Sequence, residues 1–492
     1  MNRLSIALLG SLLAVNYAGG QAFDPRSFSI STPRPINPAA NSTNPNARAG
    51  QGQNPYLGST PEGNATDGVI SLSLQDAIAR GLRYNLGLIE SNQASVEARA
   101  QRVRALSKLL PQISARGEQA FERLSLKEIG LKLPPIPGFS GLPSVTDNFG
   151  FQDARVSLSE TLYSAELHSQ YRAERAAEQA SAFEVRDARD VVVYVVGTAY
   201  LQVVASRARL ESAKAQLTSA QTLDQQAADQ VGNELSPEID SLRSRVERQT
   251  AEQRVINAGN ELEKDKLTLA RITGIPIDQQ FDVAAEVPYQ PVTATTQAAA
   301  TEEAFRSRSD LASAETTVKS AEYALRAKKD ERLPTVAINA DYGGGGVNVG
   351  NFDQVFTVAG RVSLPIFTGG RIHADIEQAK SELARRKAEY QDLRGRVAYD
   401  VRVACLDLQA SDSSVKVAES NKELADLALT QAQDRYKNGV TNYLEVVQAQ
   451  EALAGANQNY IDSLYSFNVA KLSLARATGV AEKHLAEFFG GN

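Results

Sequence analysis

Apolar residues recur in threes and fours over the longest stretches of this chain. Leu210, Ala213 and Leu217 form one such series, with Gln, Glu, Lys and Ser among the residues between them. This period predicts amphipathic helices over 166–230 and 371–436, each followed by a returning helix of about 36 residues. If continuous, the two longer helices would each measure on the order of 95–100 Å. Small residues along the seams favour close helix packing, as in coiled coils.

Two other segments, 112–163 and 335–368, alternate apolar and polar residues. In the second segment, for example, Val336 and Ile338 share one face of a predicted strand. Alternation over about ten residues is the length and period of a membrane-spanning β-strand. Each segment therefore predicts a strand pair joined by an exposed loop, which is Pro-rich in the first segment and formed around glycines 343–346 in the second. Ordinary amphipathic hairpins packed on soluble helices are the alternative.

The chain contains an internal repeat. The tetrapeptide RVSL at 155–158 recurs at 361–364, and LTLARITG at 267–274 corresponds to LSLARATG at 472–479. The two offsets, 206 and 205 residues, are nearly equal. Matches in the same order at the same offset indicate a duplicated plan.

Each predicted repeat contains a helix that ends at a Leu-Pro pair, then a strand pair, then a long helical hairpin. The first helix is expected from Leu72 to Leu110 in one repeat and over 301–333 in the other. The predicted plan is a signal peptide (1–22), a Pro/Asn/Gly-rich flexible lead-in (23–70), repeat 1 (71–274), a linker (275–300), repeat 2 (301–480) and a C-terminal tail (481–492).

The N-terminus has the features of an export signal. An arginine precedes an apolar stretch at 4–15, and residues 20–22 (Gly-Gln-Ala) resemble a small-x-Ala cleavage site. A cytosolic N-terminal helix is the alternative. The apolar run 191–205 is interrupted by Gly197 and Gln202 and is short for a membrane span, so it predicts a helix buried in a bundle. An exported chain of this kind ends in the periplasm, outside the cell, or in the outer membrane as a β-barrel.

The charge and the reactive residues exclude several classes of function. A net charge of −6 leaves no basic surplus for a phosphate backbone, so nucleic acid is not an expected partner. Cys405 is the only cysteine, which excludes an intrachain disulfide. His168 and His373 lie 205 residues apart and are interpreted as polar wall residues rather than as a metal-binding ring. With no nucleophile or acid-base cluster, we expect no enzyme activity, no cofactor and no resident metal.

Four strands per chain cannot close a membrane barrel, because an open edge leaves backbone groups unsatisfied in lipid. Several chains must therefore share one barrel. The fold expected is mainly α with a β-barrel contribution: long antiparallel coiled-coil helices that form a tunnel, with a β end in the membrane. An exported periplasmic coiled-coil scaffold or adaptor without channel activity is the rival interpretation.

Two segments carry a resemblance to a known family. They are the strand-to-helix junction LPIFTGG at 364–370 and the turn YKNGVTNYLEV at 436–446. With the duplicated plan, they make the chain similar to the TolC-like outer-membrane efflux proteins over about residues 70–480. The resemblance implies a homotrimer in the cell outer membrane, with a twelve-stranded barrel and a twelve-helix tunnel reaching into the periplasm. It also implies contact with outer-membrane lipid, a periplasmic adaptor and an inner-membrane pump, and passive export by tripartite efflux or type I secretion.

The resemblance also implies site residues. Asp240 and Glu445 correspond to acidic positions at the periplasmic tip, and Tyr436 corresponds to a gate-locking tyrosine. The tip turns are expected at Gly232, Ser236, Pro237, Gly439 and Thr441, and the barrel-to-tunnel junction at Pro365, Gly369 and Gly370.

A simpler interpretation of the two acidic residues stays open. Ser236 and Thr441 have helix N-cap chemistry, and Asp240 and Glu445 would stabilise the following helix N-termini without forming a gate. The sequence also departs from the family pattern. Glu234 stands where the second repeat has a glycine, and Gln448 occupies a position that is acidic in some relatives.

Overall fold

The computed structural model describes residues 54–61, 63–66, 68–123, 125, 145, 148–234, 237–283, 289–290, 296–347 and 352–482. These residues belong to one compact unit. The predicted signal peptide, the lead-in up to residue 53, most of the Pro-rich loop of the first half and the tail from residue 483 lie outside the described residues.

Long helices dominate the described chain. In order, the elements are β1 (Ile70–Leu72), α1 (Leu74–Tyr84), α2 (Leu86–Ser107), β2 (Gln112–Glu122), β3 (Phe149–Tyr163), α3 (Ala165–Gly232), α4 (Glu238–Thr273), β4 (Phe281–Val283), α5 (Gln297–Ser307), α6 (Ser309–Asp330), β5 (Thr335–Gly346), β6 (Phe352–Ser363), α7 (Arg371–Lys437) and α8 (Tyr443–Thr478). Helices α3 and α7 have 68 and 67 residues, and α4 and α8 have 36 each. This order is what a duplicated plan would produce, although the duplication itself stays a prediction.

The two long hairpins lie where the apolar period predicts helices. Helix α3 packs along α4, and α7 packs along α8, while α3 also contacts α8. Gly274 and Gly479 end the two returning helices with φ of 73° and 74°. Only a residue without Cβ adopts this left-handed conformation at little cost, which explains the Thr-Gly endings.

The expected single helices at 72–110 and 301–333 are wrong, because each is two helices with a one-residue break. Asn85 separates α1 from α2, and its side chain accepts a hydrogen bond from the Gly87 amide at 3.0 Å. Arg308 separates α5 from α6, and its guanidinium pairs with Asp310 at 2.6 Å and Asp400 at 3.2 Å. Both residues adopt extended ψ angles that end one helix and start the next.

The end of the predicted flexible lead-in is ordered against the first of these breaks. The Asn85 side chain donates to the Tyr56 carbonyl at 2.7 Å. The Thr60 amide donates to the Tyr84 carbonyl, and the Leu86 amide to the Gly58 carbonyl, both at 2.9 Å. Such hydrogen bonds between distant segments leave no local signal in a Pro/Asn/Gly-rich sequence, so the sequence predicts flexibility for this part.

The apolar run 191–205 lies inside α3 and contributes to the main core. Val192, Val193, Val196 and Tyr200 are all at most 1% exposed, and Leu269 of α4 is buried among them. By length and composition this part of α3 could cross a membrane, and half of its most apolar window is buried inside the protein. Its burial against other helices agrees with the predicted bundle helix.

The four longer strands form one antiparallel sheet in the order β2-β3-β5-β6. The β3–β5 pair joins the two halves of the chain, with Val156 opposite Tyr342. The expected loop at 343–346 is wrong, because these glycines continue β5 and pair with both neighbouring strands. A Cβ on Gly343 would lie 2.1 Å from the Ala154 carbonyl oxygen, so the glycine serves close strand approach rather than a turn.

The register gives the sheet two chemically different faces. One face carries Ile113, Val156, Tyr342, Phe356, Val358 and Val362. All six are exposed in the single chain, and Phe356 retains 75% of its surface. The opposite face carries Ser114, Arg116, Arg155, Ser157, Asp341, Thr357 and Arg361. The sheet therefore offers a large unpartnered apolar surface on one side only.

Candidate functional site

The two long hairpins turn between α3 and α4 and between α7 and α8. In the second turn, Gly439 has a φ of 69°, and the Val440 amide donates to the Arg435 carbonyl at 2.8 Å. This is the hydrogen-bond pattern of a helix C-terminus closed by a left-handed glycine. In the first turn, Glu234 occupies the same conformation with a φ of 62°. The predicted tip glycine Gly232 lies instead in the last turn of α3, and Ser236 lies outside the described residues.

Tyr436 joins the two hairpins of the chain. It lies in the last turn of α7, is 7% exposed, and its hydroxyl donates to Oε1 of Gln230 on α3 at 2.6 Å. Its ring meets the Tyr443 ring edge-on, with 5.8 Å between centroids. Leu223, Leu429 and other apolar residues enclose both rings. The predicted gate tyrosine is therefore a fixed contact between hairpins close to the turns.

Tyr443 is a member of this cluster to which the sequence analysis assigns no role. It is 1% exposed, and burial together with the nearby Glu247 carboxylate raises the pKa of its hydroxyl. Asp224 is another carboxylate near the Tyr443 hydroxyl, and it accepts hydrogen bonds from Ser244 at 2.8 Å and Arg248 at 2.9 Å. The sequence carries no periodic signal for this contact, because Tyr436 lies at the end of α7 and Tyr443 at the start of α8, and no helical period continues through the turn between them.

Asp240 lies in the first turn of α4 beside the first hairpin turn. Its carboxylate is 3.6 Å from the Arg243 guanidinium, and its side chain is 15% exposed. Pro237 is the N-cap of this helix and supplies no side-chain cap. An acidic group here stabilises the helix N-terminus. This contact is compatible with either predicted role of Asp240.

Glu445 occupies the corresponding place in α8. The N-cap of α8 is Asn442, whose side chain accepts from the Glu445 amide at 3.3 Å, so the expected capping by Thr441 is wrong. The Thr441 hydroxyl donates to the Glu445 carboxylate instead. A second oxygen of that carboxylate is 3.5 Å from the Arg435 guanidinium. Glu445 is thus held by three contacts while part of its surface faces solvent.

The barrel-to-tunnel junction predicted at Pro365, Gly369 and Gly370 lies between β6 and α7. Gly369 and Gly370 have φ of 62° and 88°, and Gly370 is the N-cap of α7. No atom lies within 4 Å of a Cβ built on either, so the backbone conformation and not space requires these glycines. In the first half, Ser164 alone separates β3 from α3 and caps the helix through the Leu167 amide at 3.2 Å.

No group of His, Cys, Asp and Glu in the described ranges has the arrangement of a metal site. His168 and His373 are exposed on the first turns of α3 and α7. The described site is thus one of hydrogen bonds, ion pairs and packing between hairpins.

Comparison with known proteins identifies the fold. Residues 300–480 match the family model of the outer membrane efflux proteins. The outer membrane efflux protein BepC of Brucella suis biovar 1 (strain 1330) is 29% identical over 166 residues, or 33% of this chain and 36% of BepC. The pyoverdine export outer membrane protein OpmQ of Pseudomonas putida is 24% identical over 58% of this chain and 61% of OpmQ. The matched segments thus span less than two thirds of either relative.

A solved structure matches more of the chain. The CmeC outer membrane channel of Campylobacter jejuni shares the fold with a TM-score of 0.72 at 16% identity, over 91% of this chain and 98% of CmeC. The described helices and strands, the family match over 300–480 and this shared fold lead to one conclusion: the chain is similar to the outer membrane efflux proteins and has the fold of a solved outer membrane channel.

Proposed function

We propose that this chain is a subunit of a trimeric export duct that crosses the outer membrane and extends into the periplasm. The observation that carries the proposal is the two-faced sheet. Its apolar face is exposed in the single chain, and its opposite face is polar. A lipid-facing surface outside and a polar surface inside are the pattern of a membrane barrel wall.

The edges of the sheet support the trimer. Strands β2 and β6 are each paired on one side only among the described strands. Open edges leave backbone groups unsatisfied in lipid, at a cost of several kcal/mol for each group. Three copies, each with four strands, close a barrel of a size common among outer-membrane proteins. Helices α3 and α7 then continue from the barrel into the periplasm for roughly 100 Å.

The hairpin turns form the periplasmic end of the proposed duct. Tyr436 and Gln230 hold the two hairpins of one chain together there. Asp240 and Glu445 from three copies would place six carboxylates around the opening, and such a ring favours cations. We infer that an adaptor and an inner-membrane pump open this end, so the duct itself is a passive conduit for tripartite efflux or type I secretion.

Fractionation and gel mobility test the proposal. The protein should be found in the outer membrane, and without heating it should migrate in detergent as a species of about three chains. Heating should convert this species to the monomer. A soluble periplasmic monomer would contradict the proposal and support the alternative of an exported coiled-coil scaffold or adaptor.

A further inference from the structure

Charged residues are concentrated in three adjacent rows on the polar face of the sheet. The strand register aligns Arg116 with Arg155 in one row, and Glu118 with Asp153 in the next. The row of Glu118 and Asp153 continues through Gly345 to Asp353 on β6. Asp341 lies in the third row, which is next to the arginine row on its other side. We call these residues the charged belt: Arg116, Glu118, Asp153, Arg155, Asp341 and Asp353.

The belt is held in place by its own ion pairs. Two arginines directly opposite each other in a sheet repel, so carboxylates are needed between them. Asp153 supplies one: its Oδ2 accepts from Arg155 Nε at 2.7 Å, and its Oδ1 is 3.9 Å from Arg116 Nη2. Arg155 also donates from Nη1 to Asp341 at 3.1 Å, across the strand pair that joins the two halves of the chain. Arg155 is therefore fixed against the wall, whereas Arg116 has only contacts of 3.9 Å and its side chain is 69% exposed.

Glycines in β5 provide the space for this arrangement. A Cβ on Gly343 would lie 2.8 Å from Arg155 Cγ, which shows that the arginine stem passes directly over this glycine. A Cβ on Gly345 would lie 3.4 Å from Asp153 Oδ2. Opposite Asp153 and Arg155, β5 thus contributes only backbone, which leaves space for their side chains.

The carboxylates of the belt outnumber its arginines. Four carboxylates and two arginines give the belt of each chain a net of two negative charges, and Arg361 lies on the same face outside the belt. The Asp153 side chain is 3% exposed, and its Oδ1 accepts no hydrogen bond from the described residues. The field of the belt is therefore negative, with the arginines reducing it.

We propose that the charged belt makes the barrel favour cationic over anionic solutes, and that Arg155 limits this preference. The inference rests on the proposed duct, in which the polar face lines the lumen. The belts of three copies would place six net negative charges within three adjacent rows of the barrel, apart from any ring at the hairpin turns. Fixed charges around a pore select ions by sign.

Reversal potentials in planar lipid bilayers test the inference. Potassium chloride gradients would be applied to the full-length protein carrying Asp240→Asn and Glu445→Gln, so that the tip carboxylates do not set the selectivity. In this parent, Arg155→Gln should raise the ratio of potassium to chloride permeability roughly twofold, and Asp353→Asn should lower it roughly twofold. Ser157→Ala, an uncharged change on the same face, should leave the ratio unchanged.

The outcomes separate this inference from the proposed function. Equal permeability ratios in the parent, Arg155→Gln and Asp353→Asn would overturn the inference and leave the duct intact. If Arg155→Gln fails to fold, Asp353→Asn alone decides, because Asp353 is exposed on the edge strand. A folded parent that conducts no current would contradict the duct, and the inference with it.

Discussion

Glu234 is the only non-glycine residue in the described ranges with a positive φ. The left-handed conformation costs an L-residue about 1–2 kcal/mol, and its counterpart Gly439 avoids that cost. We expect Glu234→Gly to stabilise the first hairpin turn by about 1 kcal/mol. Hydrogen exchange of the amides at the end of α3 and the start of α4 would measure this as slower exchange. The matched control is Gly439→Ala, which should accelerate exchange in the second turn; faster exchange in Glu234→Gly would contradict the assignment.

Tyr436 makes a contact whose removal should loosen the hairpin tips. Tyr436→Phe keeps the ring against Tyr443 and removes the hydroxyl that donates to Gln230. A net loss of about 1 kcal/mol would raise the open fraction of the duct roughly fivefold. Single-channel recordings measure that fraction. Tyr399→Phe, on an exposed tyrosine of the same helix, is the control, and an unchanged open fraction in Tyr436→Phe would exclude the locking role.

Lys471 predicts a dependence of stability on pH. The side chain is 1% exposed, donates to the Gln290 carbonyl at 3.3 Å, and burial lowers its pKa from 10.5 to about 8. Between these two values the unfolded chain binds the proton and the folded chain does not, so stability rises with pH from about 8 to 10.5. Lys471→Met should remove this rise in the melting temperature. The exposed-lysine variant Lys214→Met should keep it; a rise that persists in Lys471→Met would contradict the assignment.

Residue types near the turns were predictable, but their partners were not. The motif around Tyr436 predicts the turn of the second hairpin. Gly439 predicts the end of α7, because a glycine adopts the left-handed conformation that closes a helix. The bond between Tyr436 and Gln230 joins residues 206 positions apart, and no short-range pattern reports it. Asn442 and Thr441 are adjacent candidates for one N-cap, and only the backbone geometry distinguishes them.

At the level of elements, the glycines of β5 and β6 have different roles. A Cβ on Gly343 would collide with the β3 backbone, whereas nothing lies within 4 Å of a Cβ on Gly360. Gly343→Ala should therefore force β3 and β5 apart and destabilise the sheet by about 1–3 kcal/mol. The temperature at which the detergent-resistant oligomer dissociates on a gel would measure this. Gly360→Ala is the matched control, and equal dissociation temperatures for the two variants would contradict the close approach.

Long elements were easier to predict than their interruptions. The apolar period of α3 and α7 repeats over many turns, so its signal accumulates and the helix positions follow from the sequence. The breaks at Asn85 and Arg308 each interrupt a helix at a single residue, which is too short to alter the apolar period. Their partners Tyr56 and Asp400 lie on other segments of the chain and stabilise them. The glycine run in β5 has turn chemistry locally, but its pairing partners come from β3 and β6.

At the scale of the whole molecule, the apolar face of the sheet decides which environment the protein requires. A single chain leaves Ile113, Phe356 and Val362 exposed on this face and leaves two strands with one partner each. In water, this surface would promote aggregation. In a closed barrel within a bilayer, the same surface faces lipid and every strand edge is paired. One physical requirement therefore supports both the proposed trimer and the membrane location.

Phe356 and Thr357 provide the most direct test of that requirement, because these neighbours on β6 point to opposite faces. Each would be replaced by cysteine in a Cys405→Ser background, labelled with a nitroxide and reconstituted into liposomes. We predict that the label at Phe356→Cys collides mainly with lipid-soluble oxygen, and that the label at Thr357→Cys collides mainly with a water-soluble nickel chelate. If both labels are equally open to the nickel chelate, the sheet does not line a membrane barrel and the account is wrong.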